Sequence, residues 1–175
     1  MKGNYGAAEL TAIMKEHIFT VMRGVKIGNN KVHCWDVVNE AIGWNKSAKW
    51  DSKTGKNGLK PGNWYPAMPN YIDQAFIFAR EADPDALLFY NDYQLVFKEQ
   101  RGEAVYALVK GMIDRKVPID GIGMQMHYKN ENQVNSREEI SSMIKRFGSL
   151  GVQVHITEMT VSCKQCKWSK KAQQK

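Results

Sequence analysis

The 175-residue sequence predicts an α/β fold, a parallel sheet covered by helices. Three observations predict it. Short, near-continuous apolar runs of strand length alternate with segments whose apolar residues recur at helical spacing. The later runs recur about every 33 residues, the length of one strand–helix unit. Each run also ends in groups fit for chemistry, where a structural sheet more often ends in turn residues: Asn39-Glu40, Asn91-Asp92, Gln125 with His127, and Thr157-Glu158.

Leu10, Ile13, Met14, Ile18, Val21 and Met22 follow the period of a first helix. Lys31 to Val38 is the first strand, and "CWDVVNEAI", which begins at Cys34, reads as a buried strand that delivers an amide and a carboxylate to its C-terminal end. A long loop rich in Gly, Lys, Asn and Trp runs from Gly43 to Pro69. Tyr71 to Ala82 reads as a helix, closed by "DPD". "ALLFYNDY" is the second strand. Ala104, Val105, Leu108, Val109, Met112 and Ile113 mark the next helix, and "VPIDGIGMQMHY" holds the third strand. Ser136 to Glu139 has the form of a capping box, in which serine caps the helix and glutamate answers it. That helix runs to about Leu150, Gly151 ends it, and "VQVHITEM" is the fourth strand.

Two architectures fit this order: a doubly wound open sheet, or part of a (β/α)8 barrel. No Gly-rich phosphate loop follows any strand, which weakens a nucleotide-binding sheet. In barrels, catalytic residues stand at the C-terminal ends of strands, where the polar pairs fall here.

Composition narrows the class. At 43% apolar and 25% charged, the chain is globular and soluble. No apolar run is long enough for a bilayer, so no membrane partner is expected. The opening "MKGNYGAAEL" lacks an apolar signal core, so the chain is either cytoplasmic or without its true N-terminus. The net charge of +7 would suit a nucleic-acid binder. Much of it lies in two loop-like stretches, "NKSAKWDSKTGKNGLK" and "CKQCKWSKKAQQK", and neither makes a basic helix face. They read as solvated loops, and no nucleic-acid partner is expected. Cys34 sits inside a strand pattern and reads as a small buried hydrophobe. Cys163 and Cys166 form one CxxC with no second ligand pair at zinc spacing. No metal or cofactor is expected.

Glu40 closes the first strand and Glu158 the fourth. Strands three places apart in an eight-stranded barrel stand across the mouth from each other, one place short of diametrically opposite. Glycoside hydrolysis needs two such carboxyl groups, one on each side of the scissile bond. A glutamate at a strand end is more often a solvated loop residue. The pair, with Asn39, Gln125 and His127 on the same rim, points to chemistry.

"WDVVNEAI" (Trp35–Ile42), "FYNDY" (Phe89–Tyr93), "IDGIGMQMHY" (Ile119–Tyr128) and "HITEM" (His155–Met159) resemble the motifs of glycoside hydrolase family 10, the endo-β-1,4-xylanases. All four stand in order at family-like spacing, over about Leu10 to Val161. The resemblance implies a (β/α)8 barrel and a retaining double displacement. Glu40 matches the acid/base and Glu158 the nucleophile, with carboxyl groups about 5–5.5 Å apart. The acid/base should have a pKa above that of an ordinary glutamate. Asn39 matches the residue that hydrogen-bonds the sugar 2-hydroxyl, His127 the residue that bonds the nucleophile, and Gln125 a polar partner of the acid/base. Trp44 and Tyr128 are candidates for stacking or rim contacts, equally readable as ordinary loop or core aromatics.

Two departures from the family matter. Its members usually carry an aspartate two residues after the nucleophile, where this chain has Thr160. Threonine can hydrogen-bond but brings no charge, so His127 should be less easily protonated and the pH dependence altered. A full barrel also needs about 250 residues. The four strands match strands four to seven, without the first three or the eighth. After Val161 the sequence resembles nothing in the family. Residues 1–161 are therefore expected to form a partial barrel domain, and 162–175 a disordered lysine-rich tail.

A half barrel leaves raw sheet edges that invite another chain. A second copy or a complementary fragment is the expected partner, beside xylan or a xylo-oligosaccharide. The expected function is hydrolysis of internal β-1,4-xylosidic bonds in xylan. The alternatives are a truncated or degenerate xylan-binding fragment with little activity alone, and another two-glutamate barrel glycosidase such as a cellulase or mannanase. Xylan is an extracellular polymer, so the resemblance implies secretion.

Overall fold

The computed structural model describes residues 5–25, 31–43, 58–96, 100–129 and 133–162. The elements run α1 (Ala7–Gly24), β1 (Cys34–Asn39), α2 (Tyr71–Ala82), β2 (Leu87–Tyr93), α3 (Gln100–Asp114), β3 (Gly121–Tyr128), α4 (Arg137–Gly148) and β4 (Gln153–Val161). Each expected helix and strand is present, α2 with the expected bounds and others with shifted ends. β1 begins at Cys34, three residues later than the sequence pattern suggests, and α3 opens earlier, at Gln100. The Ser136 capping box forms as expected: Glu139 N donates to Ser136 Oγ at 3.1 Å, and Ser136 N to Glu139 Oε2 at 2.9 Å. Gly151 follows with φ +83°, a conformation suited to glycine.

The four strands pair in parallel in the order β1-β2-β3-β4. This order decides between the two architectures. A doubly wound sheet reverses direction at a switch point. Here every crossover steps the same way, and right-handed crossovers then put all helices on one face, as in an arc of a barrel. Apolar faces of the helices close the core on that side. Phe76, Ala79, Val105, Val109, Met112, Met143 and Phe147 are fully buried there. Neighbouring helices are clipped at the surface by Lys15–Glu81, Arg115–Asp73 and Arg146–Glu103, at 2.8, 2.7 and 2.6 Å. Each such exposed pair contributes little, about 1 kcal/mol or less.

The other face is the concave one, and register assigns its residues. Asp36, Phe89, Gly121 and Gln153 form one layer, and Asn39, Asn91, Gly123 and His155 the next. Phe89 plugs the floor. A Cβ at Gly121 would lie 2.1 Å from its ring, and the His155 ring centroid is 4.4 Å away. Glycine at 121 is what lets the floor fill.

Two strands slip register on the way up. Val37 is the extra residue in β1, between Asp36 and Val38. Thr157 is the extra residue in β4, opposite the step from Met124 to Gln125. Each bulge reverses the alternation beyond it. Without them Val38 and Met159 would face the concave side. With them Asn39, Glu158 and Thr160 do.

Among the described residues, β1 and β4 each pair on one side only. In β1 only Val38 is buried, so the expected fully buried strand is corrected to a half-exposed edge strand. Cys34 is exposed, against the reading of it as a buried hydrophobe, because it lies on that edge. On β4, Ile156, Met159 and Val161 are 51%, 63% and 53% exposed.

Candidate active site

Glu40 follows β1 directly with φ 51°, a left-handed conformation that is costly for a residue with a Cβ. Its N–H donates to Asn91 O at 2.9 Å, which continues the ladder while the chain turns away. The turn is braced from below. Ala41 N donates to the Tyr90 hydroxyl at 3.1 Å, and that hydroxyl donates to Asp92 Oδ2 at 2.7 Å. Arg101 Nη1 reaches Ile42 O at 2.9 Å and Asp92 Oδ1 at 3.1 Å. Asp92 is fully buried, so this strand-end carboxylate is structural rather than a group for chemistry. Burial pushes its carboxyl up, only partly offset by Tyr90, Arg101 and the Tyr93 N–H, and the Glu40 charge pushes it further up.

Above this brace an unbroken hydrogen-bonded chain joins the two glutamates. Gln125 Nε2 donates to Glu40 Oε1 at 3.2 Å and to Asn39 Oδ1 at 2.9 Å. Asn91 Nδ2 donates to the same Asn39 oxygen at 3.1 Å and to Glu158 Oε1 at 2.9 Å. Glu158 Oε2 meets His127 Nε2 at 2.9 Å, and His127 Nδ1 meets Thr160 Oγ1 at 3.1 Å. At the far end Lys60 Nζ donates to Glu40 Oε2 at 3.2 Å. With its oxygen bonded twice, the Asn39 amide is pinned and keeps its NH2 group as a donor. The His127 ring is thus held at both nitrogens, by Glu158 on one side and the Thr160 hydroxyl on the other. Thr160 brings a hydroxyl and no charge to the Nδ1 side of that ring.

The site therefore gathers Glu40, Glu158, Asn39, Gln125 and His127. Tyr128 stands apart. It alternates to the helix side of β3, is nearly buried, and gives its hydroxyl to Asn135 at 3.1 Å. That is the arrangement of a core aromatic. Trp44, Cys163 and Cys166 lie outside the described residues.

Two further members are given no site role by the sequence, in which Asn91 is noted only as a strand-end group. Asn91 bonds both Asn39 and Glu158, and it also accepts from Thr157 Oγ1 at 2.6 Å. Its place depends on Gly123, where a Cβ would lie 2.4 Å from Asn91 Oδ1. Its signal was its position at a strand end, beside Asp92. Lys60 sits in a low-complexity loop and gave no signal.

The electrostatics overturn one expectation. Partial burial pushes the Glu40 carboxyl up, but the hydrogen bonds from Gln125 and Lys60, with the Lys60 and Arg101 charges, outweigh it. The net direction is down, not up. Lower on the same face, the Asp36 carboxyl is pushed up by desolvation and by the Glu158 charge, partly offset by His155.

Two carboxyl groups on one concave face, both oxygens of each engaged by polar neighbours, can serve acid/base and nucleophilic chemistry on a ligand laid across the strand ends. The model of glycosyl hydrolase family 10 matches residues 1–175. An endo-1,4-beta-xylanase of Geobacillus stearothermophilus is 44% identical over 150 residues, covering 85% of this chain and 41% of that protein. A beta-1,4-xylanase of Dictyoglomus thermophilum is 43% identical over 155 residues, covering 88% of this chain and 40% of that one. The crystal structure of native xylanase 10B from Thermotoga maritima superposes with a TM-score of 0.79 at 34% identity, over 97% of this chain and 48% of that one. The chain thus spans less than half the length of these relatives.

Proposed function

This chain belongs to glycosyl hydrolase family 10, and from that premise we propose that it hydrolyses internal β-1,4-xylosidic bonds in xylan by a retaining double displacement. The observation that carries the reading is the hydrogen-bonded chain from Glu40 through Gln125, Asn39 and Asn91 to Glu158. It fixes two carboxyl groups relative to each other on one open face.

In the first step Glu158 attacks the anomeric carbon. The glycosidic C–O bond breaks, and Glu40 gives its proton to the departing oxygen. In the second step Glu40, now a carboxylate, takes a proton from water as the water oxygen displaces Glu158. Asn91 and His127 orient Glu158 through one oxygen each and leave each oxygen a lone pair for attack. Asn39 offers its NH2 group to the sugar hydroxyl next to the bond being cut.

A second reading rests on the free edges of β1 and β4 and on the exposed Ile156, Met159 and Val161. A second copy or a complementary fragment completes the barrel wall there. Without it, the chain binds xylan and turns over little. Because xylan is extracellular, the protein acts outside the cell.

Reducing-sugar release by the purified chain from xylan and from carboxymethyl-cellulose tests the proposal. Release from xylan alone is expected. Equal release from both polymers contradicts the substrate assignment. Retardation in a xylan gel without release supports the second reading.

A further inference from the structure

Lys60 reaches Glu40 by a built route. The chain that leaves Glu40 returns as a short antiparallel clip, with Ile42 bridged to Leu59. Lys60 N donates to Ala41 O at 2.8 Å, and Gly43 N donates to Gly58 O. Ile42 and Leu59 are buried at 3% and 7% exposure, so the clip is anchored in the core. It sets the lysine stem beside the carboxylate, and Nζ takes Oε2 at 3.2 Å.

The two oxygens of Glu40 are held differently. Oε1 is bonded by Gln125, which is buried and also bonded to Asn39. That contact is fixed. Oε2 is bonded by an ammonium on a stem 42% exposed, which can swing into solvent. Glu40 needs a free oxygen carrying a proton to meet the glycosidic oxygen. Oε2 is that oxygen, and Lys60 stands on it.

We propose that Lys60 is a positioning residue that a ligand on the leaving-group side must displace from Glu40, so that ligand binding is coupled to uptake of one proton from solvent by Glu40. This rests on the acid/base reading of Glu40. In the free protein Lys60 holds the carboxylate form. Among the described residues, the charged groups facing Glu40 are Lys60, Arg101 and Asp92, and Arg101 is already paired with Asp92. Displacing Lys60 removes from Glu40 a cation that, unlike Arg101, is not engaged by the buried Asp92. A sugar in its place deepens the burial of the carboxyl. Both changes favour the neutral acid. The same lysine can return to the carboxylate once the leaving group has gone, when Glu40 acts as base.

The test is a 13C-carboxyl NMR titration of the whole chain labelled in glutamate, with Glu40 assigned by Glu40→Gln. Lys60→Gln should move the Glu40 midpoint upward, and Lys60→Arg should keep it near the wild-type value. Added xylotetraose should move the wild-type midpoint upward and the Lys60→Gln midpoint much less. An unchanged midpoint in Lys60→Gln, or no movement of the wild-type midpoint at high xylotetraose, overturns the proposal. Turnover is not needed for this readout. Failure of the hydrolase reading would show as absent reducing-sugar release while the Glu40 midpoint still follows Lys60.

Discussion

Glu158→Gln is expected to abolish hydrolysis of every xyloside, by about 10⁴-fold or more, while Glu40→Gln is expected to spare one half of the reaction. The asymmetry follows from the roles. An amide at 158 cannot attack the anomeric carbon, whatever the leaving group. It also offers one acceptor to two donors, Asn91 Nδ2 and His127 Nε2, so the local network must rearrange. An amide at 40 cannot protonate a departing sugar, and xylan turnover should fall by about 10²–10⁴-fold. A dinitrophenyl xylobioside needs no such proton. With it, Glu40→Gln should form the glycosyl-enzyme at near wild-type rate and then stall, because no base activates water. The measurement is a stopped-flow trace of phenolate release. A burst followed by a slow phase is expected for Glu40→Gln, and no burst for Glu158→Gln. The reverse pattern would exchange the two assignments.

The second large effect concerns stability. Arg101→Met is expected to destabilise the chain by about 3–5 kcal/mol, since it strands a buried carboxylate. The Arg101 side chain is 5% exposed and that of Asp92 0%. Arg101 also ties α3 to Ile42 O and stacks over the Tyr93 ring at 4.1 Å, so its loss frees the turn that holds Glu40. Urea unfolding measures the change. The pH dependence has a defined sign. Asp92 has its carboxyl raised by burial above the ordinary 3.8, so its contribution is most favourable in acid and declines as pH rises through the folded value. Removing Arg101 raises that carboxyl further. The deficit of Arg101→Met should therefore shrink in acid, where Asp92 is neutral. A double variant, Asp92→Leu with Arg101→Met, should cost less than the two single changes added together. Additive losses would mean that the pair is not a unit.

The sequence carries the order of elements because burial on the helix side needs apolar residues at regular spacing. Tyr71–Ala82 is legible to the residue for this reason, and the capping box at Ser136 fixes where α4 begins. Edge exposure is not legible in the same way. The residues of "CWDVVNEAI" suit a buried strand equally well, and only the neighbours of β1 decide that Cys34 meets solvent.

At the site, the residue types at strand ends pointed to Glu40, Glu158, Asn39, Gln125 and His127. The two bulges were invisible, because no residue type marks Val37 or Thr157 as extra. They are what turns Asn39 and Glu158 to the concave face. Asn91 and Asp92 are adjacent and looked alike, yet strand alternation sends one to the site and the other into a buried ion pair. Lys60 became a neighbour of Glu40 through a backbone clip that spacing alone does not reveal. Together with the Gln125 hydrogen bond and the Arg101 charge, it reverses the direction expected for the Glu40 carboxyl.

The central claim is that Glu158 forms the bond to the sugar. Incubation with a dinitrophenyl 2-deoxy-2-fluoro-xylobioside should trap that bond, because the fluorine slows both steps while the good leaving group preserves the first. Intact mass spectrometry should then show one fluoroxylobiosyl adduct per chain, with peptide mapping placing it on Glu158. An adduct on another residue, or none under conditions in which the chain releases sugar from xylan, would contradict the account.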